Sequence, residues 1–310
     1  MRDQDRGRRE VRVPVCTMWS SPKAPRDVDE PAVRDLPDVA GWAASMDRDT
    51  RLGLHGRTET QLLLGEPVLV VEEREGWSRI VAPWQRSDGY PGWVRSAHLG
   101  VPVERPGDVR ACVVTRTASC TTDDGERLDL SFGTTLPVDR EAADGGDAVS
   151  VLLPDSRRAA LARSVLRLAG PVAGKGAAGA VAADDVLAVA QTFFGLRYLW
   201  GGTSTWGVDC SGLVHLTWRS QGVLLPRDAF EQAADYRIEP VSLDAVRPGD
   251  LYFFARPGER IYHVGFVTRP VSASGERWML HAPEGGELVE AAPLAPHRVA
   301  TLVGARRVRA

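Results

Sequence analysis

The feature that most constrains this chain is a break in patterning. The stretch GPVAGKGAAGAVAADD, Gly170 to Asp185, is rich in Gly and Ala and poor in large apolar side chains. Such composition neither packs a core nor sustains a strand, so it reads as a linker up to about residue 181. Before it, short apolar runs alternate with Gly, Asp and Pro turns, as in LLLGEPVLVVEE, GWSRIVAP and GYPGWV. That is the pattern of small all-β units. After it, helical spacing comes first and strand runs (DLYFFA, YHVGFVT, RWMLHA) follow, an α+β order. The expected organisation is a frayed N-terminus over residues 1–10, a first small β-barrel over 11–100 and a second over 101–168. A linker over 169–181 and an α+β domain over 182–310 complete it. In the second zone, strands are expected at Ala111 to Arg116, Thr134 to Val138 and Ala148 to Leu153, with a short helix over Arg157 to Leu168. In the third, Asp184 or Asp185 is expected to cap a helix that stops at Gly195.

At 310 residues the chain is long enough for two or three such units. With a net charge of −3 it has no field that would point to nucleic acid or a membrane surface. The first thirty residues lack the apolar run of a secretory leader, so a cytoplasmic protein is expected. The four cysteines, Cys16, Cys112, Cys120 and Cys210, form no Cys-x-x-Cys pair and no zinc spacing with histidine. No metal or organic cofactor is called for. Cys16, Cys112 and Cys120 read as small packing residues. Trp42, Trp77, Trp84 and Trp93 read as barrel or interdomain packing.

Cys210 stands apart. It sits in WGGTSTWGVDCSGLV, where a Gly-containing loop enters a helix predicted over Ser211 to Gln221. A helix N-terminus favours a thiolate over a thiol, and a nearby His does the same. Of the six histidines, His215 lies five residues along the same helix, in poor register for contact. His263 and His281 lie on successive strand runs and can stand side by side on one sheet. The spacing thus predicts Cys210 attacking an acyl carbon, His263 shuttling the proton and His281 orienting His263. The Cys210 backbone N–H would meet the developing oxyanion. The alternative is a buried cysteine beside unrelated strand histidines.

The run RYLWGGTSTWGVDCSGLV, then RPGDLYFF, YHVGFV and MLHA, closely resembles the NlpC/P60 family of papain-like cysteine peptidases. The resemblance spans Arg197 to Ala282 with no motif residue departing. It implies a triad of Cys210, His263 and His281, with Tyr198 assisting the oxyanion. It also implies hydrolysis of the bond from γ-D-glutamate to diaminopimelate or L-lysine in peptidoglycan peptides. The N-terminal zones resemble the paired bacterial SH3-like domains of dipeptidyl-peptidase members. There the first barrel closes the cleft and acidic groups hold the substrate's free amine. The corresponding candidates here are Glu66, Tyr90 and Asp228, with Asp209 and Ser211 lining the same pocket and Trp200 walling it. Read without the resemblance, Glu66 is a turn residue, Tyr90 a core aromatic and Asp228 a helix cap. A buried ammonium needs a carboxylate partner, which makes the acidic set chemically apt. The expected substrate is a murein tripeptide or similar cell-wall peptide, cut to release L-Ala-γ-D-Glu during recycling. The alternatives are an exported hydrolase anchored to intact wall, a non-catalytic wall-binding protein and another acyl transfer on the same scaffold.

Overall fold

The computed structural model describes residues 7–103, 109–139, 146–170, 183–235, 237–284 and 287–309. The expected linker falls almost wholly outside the described residues.

A seven-stranded sheet forms the N-terminal unit, running Thr58–Leu63, Val15–Trp19, Tyr90–Arg95, Trp77–Ala82, Pro67–Arg74, Arg8–Val11 and Leu99–Gly100 in spatial order. The expected frayed terminus is corrected here. Arg8, Arg9 and Glu10 pair antiparallel with Leu69, Val68 and Pro67, so the strand begins inside the Arg-rich stretch. The purely β reading of this zone is also incomplete. Helices Glu30–Val33, Val39–Ser45 and Arg48–Leu52 are inserted between Trp19 and Thr58. They form because Asp38 and Asp47 accept from Gly41 N (2.7 Å) and Thr50 N (2.8 Å), capping two helices in turn. Trp42 is buried beneath them, and its indole N–H donates to Asp29 at 3.0 Å.

The second unit has two sheets. One holds Arg127–Ser131, Thr117–Thr122, Arg158–Ala162 and Ala148–Leu152 in spatial order; the other holds Thr135–Pro137, Arg110–Val113 and Leu166–Ala169. The helix expected over Arg157 to Leu168 is two strands joined by a 3-10 turn at Arg163–Val165. In Arg158–Ala162 buried and exposed residues alternate, the period of a strand.

The third unit packs helices on an antiparallel sheet of six strands. Their spatial order is Ile238–Val241, Leu302–Val308, Leu251–Ala255, Ile261–Val267, Trp278–His281 and Glu290–Pro293. The first helix spans Ala183–Gln191, so Asp184 and Asp185 lie inside its first turn rather than ahead of it as caps. Gly195, at φ +74°, turns the chain after it. The helix Cys210–Ser220 is buried along its whole length. It packs on the Ile261–Val267 strand, which brings the cysteine and His263 to one place. Leu213, Val214, Leu216 and Trp218 of this helix are buried, each contributing about 1.5–3 kcal/mol of hydrophobic stabilisation.

The units share packing. Trp19, Trp42, Leu54 and Leu63 of the first, Phe132 of the second, and Leu213, Phe253 and Val264 of the third belong to one continuous apolar core. Phe132 meets Phe193 edge-on at 5.1 Å.

Candidate active site

The loop before the nucleophile helix is held by close backbone approach. A Cβ on Gly212 would lie 2.1 Å from the Gly202 carbonyl oxygen, and one on Gly202 would lie 2.4 Å from that of Gly207. Only glycine allows the Gly-Gly loop to lie against the first turn of the helix. Asp209 is the N-cap, accepting from Gly212 N at 2.7 Å, while its other oxygen accepts from Gly201 N at 2.9 Å. Cys210 is thereby presented at the first helical position, buried and lining a cavity of about 300 Å³.

On the sheet against which the nucleophile helix packs, His263 and His281 meet as the strand spacing predicts. Their rings are perpendicular with centroids 5.0 Å apart, and His263 Nε2 lies 2.9 Å from His281 Nδ1. Gly265 makes room, since a Cβ there would be 3.0 Å from the His281 Cβ. His281 Nε2 in turn lies 3.7 Å from Glu290 Oε1 on the neighbouring strand. His263 Nδ1 is buried without a hydrogen-bond partner among the described residues. The backbone N–H of Val264, the next residue, donates to the Cys210 thiol, so the thiol lies against the strand that carries His263. For Nδ1 to accept the thiol proton, the His263 hydrogen must be on Nε2, donated to His281 Nδ1. His281 then carries its own hydrogen on Nε2, towards Glu290.

The electrostatics favour a neutral resting pair. Burial, with the carboxylates of Asp209 and Glu284, pushes the Cys210 thiol up to about 12. Burial, the Arg298 guanidinium and the neighbouring His281 hold His263 well below its ordinary value. Burial and Arg298 bring His281 to about 3.

The other candidates divide. Tyr198, Trp200, Asp209, Ser211, Asp228 and Tyr90 all line the same cavity as Cys210. Trp200 is fixed by its indole N–H to Thr58 O (3.2 Å) and by His55 packed on its ring at 4.1 Å. The Tyr90 hydroxyl lies 3.1 and 3.2 Å from the two carboxylate oxygens of Asp228. Asp228 also stands at the N-cap of the Ala229–Ala234 helix, yet its side chain makes no capping bond and is turned to Tyr90.

Glu66 is the correction. It is buried away from the cavity and accepts from Leu63 N at 2.9 Å and from the Arg219 guanidinium. This ties the first barrel to the nucleophile helix and leaves no free carboxylate for a substrate amine. The carboxylate of this strand and its turn that lines the cavity is Glu59, on the Thr58–Leu63 strand. Burial, and then the nearby Asp228 carboxylate, raise its pKa; Asp228 is raised as well, burial being the larger cause.

Sequence reasoning also missed Arg227. Fully buried, it donates to both oxygens of Asp209 (3.0 and 2.6 Å), to Ser211 Oγ (3.0 Å) and to Thr60 Oγ1 (2.8 Å). Asp209 and Ser211 are thus held in place by an arginine that also grips the barrel. The signal available was Arg227 standing directly before Asp228; its partners are remote in sequence. Of the other histidines and cysteines, His215 is buried with Nδ1 2.7 Å from Leu225 O, and Cys16, Cys112 and Cys120 are buried and free. Among the described residues no cluster of His, Cys, Asp and Glu has the makings of a metal site, and no helix is long and apolar enough to cross a membrane.

A thiol at a helix start, a histidine on an antiparallel sheet and a second histidine aligning it define a cysteine peptidase of papain-like design. The NlpC/P60 family profile matches residues 195–307, and that of the bacterial dipeptidyl-peptidase SH3 domain matches residues 54–99. The chain is 31% identical to a gamma-D-glutamyl-L-lysine dipeptidyl-peptidase of Bacillus cereus, over 96% of this chain and 90% of that one. It is 33% identical to the Bacillus subtilis protein of the same description, over 89% and 90% respectively. A crystal structure of an NlpC/P60 family protein from Bacillus cereus superposes with a TM-score of 0.89 at 28% identity, covering 98% of this chain and 100% of that one. The chain belongs to the NlpC/P60 family.

Proposed function

We propose that this protein is a dipeptidyl-peptidase that cuts the γ-D-glutamyl–L-diamino acid bond of short peptidoglycan peptides with a free N-terminal L-alanine. It releases L-Ala-γ-D-Glu. The observation that carries the proposal is the meeting of Glu59, Tyr90 and Asp228 on one cavity wall, from two different units. Burial raises the pKa of both half-buried carboxylates, and the Asp228 charge raises that of Glu59 further, so a substrate ammonium placed between them would favour their ionised forms. The relatives described as gamma-D-glutamyl-L-lysine dipeptidyl-peptidases support the same reading.

With the ammonium in that corner, the dipeptide length sets the D-Glu γ-carbonyl at Cys210. The thiol attacks, and its proton passes to His263 Nδ1. The Cys210 backbone N–H and the Tyr198 hydroxyl stabilise the oxyanion. His263 then protonates the leaving amine of the diamino acid, and water, deprotonated by the same ring, releases the acyl group. In intact wall the L-alanine nitrogen is acylated and cannot be an ammonium. The site therefore suits soluble peptides already freed from the wall, consistent with recycling in the cytoplasm.

Mass spectrometry of two peptides tests this: L-Ala-γ-D-Glu-L-Lys and its N-acetylated form, each with wild type and Cys210→Ala. Cleavage confined to the free-amine peptide, and lost in Cys210→Ala, is the expected result. Equal cleavage of both peptides removes the ammonium corner. No cleavage by wild type removes the peptidase assignment.

A further inference from the structure

The substrate proposed above carries a second charge, the free α-carboxylate of D-glutamate, directly beside the scissile γ-carbonyl. The carboxylates on the cavity wall, Glu59, Asp209, Asp228 and Glu284, would repel it. Two cations share that wall, Arg256 and Arg260, both on the turn joining strands Leu251–Ala255 and Ile261–Val267. They differ in one respect. Arg256 is paired with Glu259 at 3.2 Å and stacked 4.6 Å over Tyr262. Arg260 has no ion-pair partner among the described residues. Its guanidinium lies over the Phe230 ring at 4.7 Å, on the helix that Asp228 precedes, and its field reaches Asp228. It stands three residues before His263 on the chain and lines the same cavity as Cys210 and Asp228.

We infer that Arg260 is the specificity residue that receives the α-carboxylate of the γ-linked D-glutamate, so that the enzyme reads the free acid and discriminates against its amide. The inference rests on the dipeptidyl-peptidase reading and adds the charge that reading leaves unmatched. Phe230 holds the guanidinium plane, leaving its N–H edge for a planar carboxylate, the geometry in which arginine binds best. A γ-linked residue presents that carboxylate outside the main chain, whereas an α-linked glutamate would place it at the side-chain end. The same contact would therefore select the linkage.

The test compares kcat/KM for L-Ala-γ-D-Glu-L-Lys with that for L-Ala-D-isoglutaminyl-L-Lys, whose α-carboxylate is a neutral amide. Wild type is expected to prefer the acid by about 10- to 100-fold, the range of a hydrogen bond to a charged group. Arg260→Gln is expected to bring the ratio near one by slowing the acid peptide while leaving the amide peptide unchanged. Arg260→Lys should recover part of the preference, and Arg256→Gln should leave it intact. Because Arg260 is exposed, these variants are expected to fold. A wild-type ratio near one, an Arg260→Gln ratio equal to wild type, or equal slowing of both peptides overturns the assignment. Failure of wild type to cut either peptide instead overturns the dipeptidyl-peptidase reading on which it rests.

Discussion

At the residue scale, catalysis depends on which nitrogen of His263 carries its hydrogen, and His281 is the group that decides it. Nδ1 is buried and unpartnered among the described residues and Nε2 lies 2.9 Å from His281 Nδ1, so the ring can accept from Cys210 when its hydrogen is on Nε2 and His281 Nδ1 is the acceptor. Replacing His281 by Ala leaves the ring free to turn and to carry its hydrogen on the wrong nitrogen. His281→Ala is expected to lower kcat by on the order of 10²-fold or more with little change in KM. His281→Asn, whose side-chain oxygen can accept from Nε2, should retain more activity than the Ala variant. Steady-state kinetics of the two variants check this; equal activity in wild type and His281→Ala would show that the sheet alone orients the ring. This pair was legible in the sequence because His263 opens the run HVGFV and His281 lies at the end of the next strand run, WMLHA. Glu59 was not: in TETQLLLGEPV two glutamates flank the same strand, and only its path decides which one faces the cleft.

At the element scale, those two glutamates should respond in opposite ways. Glu66 is paired with Arg219, both almost fully buried, so Glu66→Gln strands a charged guanidinium between the barrel and the nucleophile helix. The expected cost is about 3 kcal/mol, seen as a fall of several degrees in Tm. Glu59→Gln should instead weaken binding of the free-amine peptide by on the order of tenfold without that loss. The pH dependence follows from the sign of the shift. The folded-state pKa of Glu59 is raised above its ordinary 4.5, so the fold disfavours the ionised form. The stability this group contributes is full below its unfolded pKa and is lost as pH rises through the folded value. Glu59→Gln removes that loss, so its Tm relative to wild type should rise between about pH 4 and pH 7. Thermal denaturation of both variants at the two ends of that range tests the assignment. A stabilised Glu66→Gln together with a destabilised Glu59→Gln would reverse it.

At the scale of the whole molecule, the first barrel is part of the catalytic machine. Arg227 joins Asp209 and Ser211 to Thr60, and its backbone N–H donates to Gln85 O at 2.7 Å. Arg51, from the inserted helices, donates to the Tyr198 carbonyl at 3.0 Å. The apolar core that includes Trp19 and Trp42 continues through Leu213 and Val264. Neither unit can expose its half of that core without exposing the other's. Calorimetry is therefore expected to show the barrel and the catalytic unit melting in one cooperative transition. Two resolved transitions, with activity lost only at the second, would show that the barrel is dispensable.

The amino-acid sequence by itself determined the local chemistry: the cysteine at a loop-to-helix junction, the two strand histidines, the α+β order of the last third and the β character of the first. These depend on spacing within a few residues, where period 3.6, period 2 and glycine turns are written directly into the chain. Tertiary structure alone decided which carboxylates share the cleft and that helices interrupt the first barrel. It alone also tied Arg227 to Asp209 and Ser211 beside the nucleophile and left Arg260 without an ion-pair partner among the described residues. Each of those outcomes joins residues far apart in sequence, such as Glu66 with Arg219 or Tyr90 with Asp228. Pairings of that kind follow from how the units pack, because a buried charge takes the partner that the surrounding fold brings to it.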